Sequence, residues 1–89
     1  MEIITKKGFK TDIDPDALDD AELFEWIIDV DKEDYTHLFD IVTSLFGEDG
    51  KKELYNFLRG ENGKVKMTDV TEAVSDVIEQ LNKNQNKKK

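Results

Sequence analysis

The stretch DDAELFEWIIDV, residues 19–30, decides the fold, because it predicts an amphipathic helix with an unusually wide apolar face. Its apolar side chains cover an arc of about 220°, whereas a helix resting on one core needs only about 100° or more. The rest of the helix circumference is acidic. The apolar residues are Leu23, Phe24, Ile27, Ile28 and Val30, with Ala21 and Trp26 at the two edges. Such a helix is either wedged between other elements or leaves apolar surface for a partner.

The composition restricts the protein to one small domain without disulfides. The chain has 89 residues, no cysteine and a single histidine, His37. Disulfides and cysteine-ligated metal sites are therefore excluded, and stability must come from a compact apolar core. No apolar run approaches the ~20 residues that cross a bilayer, and the first ten residues lack the apolar segment of a secretory signal. We therefore expect a soluble, cytoplasmic protein that does not contact a membrane.

Negative charge is concentrated in the first half of the chain. Residues 12–49 contain fourteen Asp and Glu and one Lys, a local net charge of −13, whereas the charged residues after position 81 are all Lys. Such a field repels phosphate backbones, so we expect no direct binding to nucleic acid. The acidic segment suits either a basic partner or a solvated surface with no specific role.

The periodicity predicts an α+β fold that is mainly α, with an N-terminal β-hairpin on about four helices. Residues 2–14 alternate apolar and polar side chains around a Lys-Lys-Gly turn, and Val65 is a candidate third strand. Apolar stripes predict helices over residues 19–30, 34–46, 49–59 and 68–81. Asp19 and Thr68 are the expected N-caps, and Gly47 the expected helix end.

The mid-stripe positions of Ile27 and Val42 predict that both are core residues. The outer face of the last helix (Glu72, Ser75, Asp76 and Glu79) is expected to be solvated. Residues 1–81 form the predicted domain, and the Lys/Asn-rich residues 82–89 are expected to be disordered.

No residue pattern predicts catalysis, a metal ion or a cofactor. Two acidic stretches, starting at Asp12 and Asp29, resemble calcium loops, but each lacks the glycine at its sixth position and the glutamate at its twelfth. His37 has no adjacent nucleophile or metal-ligand partner, and we expect it to face water. No glycine-rich phosphate loop is present. The sequence therefore predicts a protein that is not an enzyme.

Four aromatic side chains are candidates for binding a protein partner. Trp26 and Phe24 belong to the wide apolar arc, and Tyr35 and Phe39 are predicted on the following helix. Exposed aromatics in an acidic frame are typical of binding grooves. The alternative is that they are core residues of a small domain.

Several motifs in fixed order resemble the short tail-assembly chaperones of long-tailed phages and prophages of Gram-positive bacteria. They are I-T-K-x-G-F at residues 4–9, L-D-D-x-E-L at 18–23, L-F-G-x-x-x-K-K-x-L-Y-x-x-L-R at 45–59, N-G-K-V at 62–65 and V-x-x-A-V at 70–74. Each motif alone is unspecific, and the similarity lies in their order and spacing. Lys66 departs from the pattern, since relatives often have proline there.

The resemblance implies a non-enzymatic function in the host cytoplasm. Members of that family keep the long tape-measure protein soluble during tail assembly, and the major tail protein is a second candidate partner. A chaperone of this kind is not expected in the mature virion. Many members also exist in a longer, frameshifted form, for which the final lysines are compatible. The family has no agreed set of binding residues to transfer to this chain.

The charge distribution leaves a second function open, that of an acidic inhibitor or DNA mimic that occupies a nucleic-acid-binding protein. The two functions differ in their response to salt. Binding by a mimic should weaken steeply as salt rises, whereas apolar docking should change little.

Overall fold

A computed structural model describes the backbone of residues 1–87 and the side chains of residues 1–83, and it has an α+β architecture that is mainly helical. The elements in chain order are β1 (Glu2–Ile4), β2 (Lys10–Asp12), α1 (Ala21–Asp31), α2 (Leu38–Leu58) and α3 (Met67–Lys87). The predicted fold class is confirmed, but the described residues form three helices rather than four. None of these helices is long and apolar enough to cross a membrane.

The predicted N-terminal hairpin is confirmed. Strands β1 and β2 are antiparallel, with Ile3 opposite Thr11, and Gly8 adopts a φ of +99° in the turn between them. Glycine tolerates this conformation without steric cost. One face of the hairpin is buried through Ile3, Phe9 and Ile13.

The predicted third strand at Val65 is wrong, because residues 1–87 contain only the two strands of the hairpin. Val65 lies in the loop between α2 and α3, where it packs partly against the core. The N–H of Gly60 donates to the carbonyl of Lys64 within this loop. The segment therefore closes on itself instead of pairing with β1 or β2.

The N-cap of helix α1 is Asp20, one residue later than the predicted Asp19, and the helix itself begins at Ala21. The Asp20 backbone is extended, and its carboxylate accepts hydrogen bonds from the N–H groups of Glu22 at 3.0 Å and Leu23 at 3.3 Å. These bonds satisfy N–H groups that have no partner within the helix.

Helix α2 combines the two predicted helices over residues 34–46 and 49–59. It contains a kink at Gly47, whose φ of +75° and ψ of 168° are not helical. Glycine was thus correctly predicted to break the helix, but the chain resumes helical geometry at once. The helix starts at Leu38, later than predicted. The Asp34 carboxylate accepts hydrogen bonds from both the N–H and the hydroxyl of Thr36, and these bonds hold residues 34–36 in a non-helical turn.

Helix α3 begins at Met67, so Thr68 lies in its first turn and is not the N-cap. The helix continues to Lys87, beyond the predicted end at residue 81, and residues 82–87 of the predicted disordered tail are helical. Lys and Gln have good helix propensity, and Lys83 forms an i,i+4 ion pair with Glu79 at 3.3 Å. The last two residues of the predicted tail, 88 and 89, lie outside the described residues.

Helix α2 is central to the core, since both α1 and α3 pack against it and β2 also contacts it. Val42 is fully buried, as predicted, but Ile27 is only half-buried against the core. Leu23 is instead the buried residue of α1. The buried apolar side chains of α2 are Leu38, Ile41, Val42, Leu45, Phe46 and Leu54.

Asp76, predicted to be solvated, is buried and holds the hairpin on α3. Its carboxylate accepts a hydrogen bond from the N–H of Lys6 at 2.6 Å and one from the Gln80 amide at 3.2 Å. Gln80 also donates to the carbonyl of Ile4 at 3.0 Å. Buried polar groups are stable only when hydrogen-bonded, and here the partners come from the hairpin backbone 70 and 76 residues away in sequence.

Replacing Ile41 with alanine should lower the free energy of unfolding by about 2–5 kcal/mol, because Ile41 is 0% exposed. The matched control is Ile28→Ala on α1, whose side chain is 39% exposed and should cost about 1 kcal/mol or less. Urea denaturation measures both variants. Equal losses would contradict the packing described above.

Replacing Gly47 with alanine should destabilise the protein by about 1–3 kcal/mol, because its φ and ψ lie in a region that only glycine occupies readily. A Cβ there would meet no atom within 4 Å, so the cost is conformational and not steric. Gly60→Ala is the control, since Gly60 has no positive φ. An unchanged melting temperature for Gly47→Ala would show that the kink is not fixed.

Candidate interaction surface

The four aromatic residues predicted to bind a partner do not form one cluster. Phe24 is 53% exposed, Tyr35 45% and Phe39 43%, whereas Trp26 is half-buried. Tyr35 lies in the turn before α2, not on the helix as predicted. Phe24 and Tyr35 line neighbouring depressions along α3, and neither depression is lined by Trp26 or Phe39.

Trp26 joins α1 to the start of α2. It packs partly against the core and stacks on the His37 ring, with 5.2 Å between ring centroids and 19° between ring planes. The Nδ1 atom of His37 lies 2.9 Å from a carboxylate oxygen of Asp40. His37 is therefore a surface histidine beside Asp40, with 42% of its side chain exposed, but it also stacks on the Trp26 indole, a contact that the sequence did not predict.

Phe39 belongs to a separate cluster on α2. The ammonium of Lys51 lies 5.9 Å from the centre of the Phe39 ring and 5.7 Å from that of the Tyr55 ring. Both distances allow cation–π attraction. Burial raises the pKa of the Tyr55 hydroxyl above its usual value of 10, so Tyr55 stays neutral here. This cluster spans the kink at Gly47 and connects the two halves of the helix.

A groove runs along α3, bordered by α1 in its first half and by the turn that carries Tyr35 in its second half. It consists of two depressions of about 470 and 480 Å³ that meet at Ser75. The first is lined by Leu18, Phe24, Ile27, Ile28 and Asp31 on one side and by Ser75, Ile78, Glu79, Asn82 and Lys83 on the other. The second is lined by Tyr35, Met67, Thr68, Thr71, Glu72 and Ser75. We call the two together the α1–α3 groove.

The groove exists because α1 and α3 pack against α2 more closely than against each other. One stripe of α3 forms its floor at spacings of three and four residues, which places those side chains on one helix face. The stripe consists of Met67, Thr71, Ser75, Ile78 and Asn82. Bulky side chains lie towards its two ends, and small ones lie at its centre.

The rim of the groove is acidic. Asp31, Glu72 and Glu79 lie along it, and the one basic residue, Lys83, is paired with Glu79.

The turn that carries Tyr35 is fixed by Asp34, and the Thr36 hydroxyl and N–H that donate to this carboxylate lower its pKa below 3.8. A lowered folded-state pKa means that the turn gains stability above pH ~4 and loses it as pH falls further.

The sequence did not reveal the contribution of α3 to this surface. Met67 is exposed, and Ile78 packs partly against the core while its remaining surface lines the groove. The available signal was the position of Met67 immediately before the predicted helix. Within the described part of the chain, no three His, Asp or Glu side chains are grouped so that they could hold a metal ion.

No family model matches the chain, and searches of curated proteins and of solved structures found no match either.

Replacing Trp26 with alanine should destabilise the protein by about 2 kcal/mol, roughly half the ~3–5 kcal/mol of a fully buried aromatic, because Trp26 is half-buried. The matched control is Phe24→Ala on the same helix, which should cost less than about 1 kcal/mol since Phe24 is largely exposed. Thermal unfolding compares them. A larger loss of stability for Phe24→Ala than for Trp26→Ala would show that Phe24, and not Trp26, is the side chain that packs against the core.

Proposed function

We propose that this protein is a non-enzymatic tail-assembly chaperone that binds the tape-measure protein of a long-tailed phage through the α1–α3 groove. The single observation that supports this most is the row of exposed apolar side chains along the groove, Phe24, Ile28, Tyr35 and Met67. The resemblance of the sequence motifs to such chaperones supplies the identity of the partner.

The groove suits a chaperone because it offers apolar surface without catalytic groups. Exposed apolar patches rimmed by polar residues are typical of protein-binding sites. A tape-measure protein that awaits assembly exposes apolar helical stripes, and covering them prevents aggregation. The net charge of −8 would help to keep the complex soluble.

The proposal places the protein in the cytoplasm of the bacterial host and outside the mature virion. The tape-measure protein is the primary partner, and the major tail protein is the second candidate. Binding is transient in this scheme, since the tape measure must be released when the tail tube polymerises around it.

A DNA-mimic function is the alternative, and one structural observation favours it. The acidic side chains Glu22 and Glu25 are exposed on α1 outside the groove. A mimic would bind a basic protein through such charges, and its affinity would fall steeply between low and high salt. Binding through the groove would weaken only moderately with salt, because its affinity comes mainly from apolar contact.

Phe24→Ala should reduce the yield of soluble tape-measure fragment on co-expression several-fold, because it removes the most exposed apolar side chain of the groove. Truncation of a central interface aromatic weakens binding by about 2 kcal/mol or more. Phe39→Ala is the matched control: it is similarly exposed but lies outside the groove. The measurement is the soluble fraction of the fragment with each variant.

Equal loss of solubility in the two variants would contradict the assignment of the groove. If neither variant loses solubility, and if pull-down of the partner disappears in high salt, the mimic function is favoured. Thermal unfolding of each variant alone ensures that the comparison is made between folded proteins.

A further inference from the structure

We infer that the α1–α3 groove accepts a single amphipathic α-helix with two apolar anchors about two turns apart and with Lys or Arg at its flanks. This inference rests on the proposed function, in that it specifies the partner of the same site. It follows from three features of the groove: its polar groups, its two depressions and its charge.

The groove favours a helical occupant over an extended one. An extended peptide needs partners for its backbone N–H and C=O groups, but most of the groove is lined by α1 and α3, whose backbone is already bonded, and the Tyr35 carbonyl accepts the N–H of Leu38. The Thr71 hydroxyl already donates to the carbonyl of Met67 at 2.9 Å. At the end of β1, Gln80 donates to the Ile4 carbonyl and Asp76 accepts from the N–H of Lys6, so these backbone groups cannot pair with an added strand. A helix satisfies its own backbone and needs only apolar contact.

The spacing of the depressions sets the spacing of the anchors. The floor runs from Met67 to Lys83, about 24 Å at 1.5 Å per residue, and the two depressions divide it at Ser75. Their centres are therefore about 12 Å apart, which corresponds to positions i and i+7 or i+8 of an occupying helix. The small side chains of Thr71 and Ser75 allow that helix to approach α3 closely between its anchors.

The negative charge of the rim favours positively charged residues at the flanks of the bound helix. Asp31, Glu72 and Glu79 line the groove, and Lys83 is already paired with Glu79. Lys or Arg beside the anchors would meet unlike charge, which speeds association and selects against acidic helices. A second copy of this chain would bring the same acidic rim and is disfavoured for that reason.

The experiment uses the full-length protein and three fluorescently labelled synthetic peptides of about 18 residues, long enough to span the groove as a helix. The first is amphipathic with leucines at i, i+3, i+4, i+7 and i+8 and lysines at both flanks. The second has glutamates at the flanks, and the third has two prolines in its centre. Fluorescence anisotropy should show binding of the lysine-flanked peptide at least tenfold tighter than of either other peptide.

Two variants test the location of binding. Ser75→Phe puts a large side chain where the two depressions meet. It should weaken the binding affinity for the lysine-flanked peptide at least tenfold. Ser44→Phe is the matched control, because Ser44 is also exposed but lies on α2 outside both depressions. It should leave the affinity unchanged.

Each feature of the inference can be overturned separately. Equal binding of the proline peptide would exclude a helical occupant, equal binding of the glutamate peptide would exclude the role of the rim, and an unaffected Ser75→Phe variant would exclude the groove. Sedimentation showing a dimer that Ser75→Phe dissociates would make a second copy the occupant.

Failure of this inference is distinguishable from failure of the proposed function. If the peptides behave as expected but the tape-measure fragment stays insoluble, the groove binds a different basic helix. If the fragment is solubilised without discrimination among the peptides, the function stands and the binding mode is wrong.

Discussion

The buried face of α2 is the surface on which the rest of the structure depends. Leu38, Ile41 and Val42 are fully buried there, and both α1 and α3 pack against this helix. A small chain can build only one such core. Since the two outer helices share it, each covers α2 and leaves the other partly uncovered. The α1–α3 groove is therefore a direct consequence of how α1 and α3 pack on α2.

The hairpin depends on a different interaction, the hydrogen bond from the Lys6 N–H to the buried Asp76 carboxylate. A two-stranded hairpin is marginally stable by itself. Its apolar face gains burial through Ile3 and Phe9, and the bonds from Asp76 and Gln80 fix its position along α3. Because polar bonds are directional and apolar contacts are not, the carboxylate determines which register of the hairpin on α3 is stable.

Local patterns predicted the elements well, and tertiary contacts account for what they missed. The hairpin turn at Gly8 and the break at Gly47 followed from glycine chemistry, which acts within a few residues. Asp76 looked solvated because its partner is 70 residues away. Of the four predicted aromatics, Phe24 and Tyr35 line the groove. The helical arc of α1 predicted that Phe24 belongs to an apolar face, but only the placement of α3 determines which side of that arc remains open.

The acidic charge and the apolar groove have opposite effects on self-association. Exposed apolar surface favours contact between copies of a protein, whereas the rim carboxylates Asp31, Glu72 and Glu79 repel an identical rim. The Debye length is about 8 Å at physiological ionic strength, so charges brought together at an interface are incompletely screened. For a cationic helix the sign of this interaction is reversed. The same carboxylates that disfavour a second copy would thus favour the basic amphipathic partner that we propose, and selectivity would arise from charge while affinity arises from apolar contact.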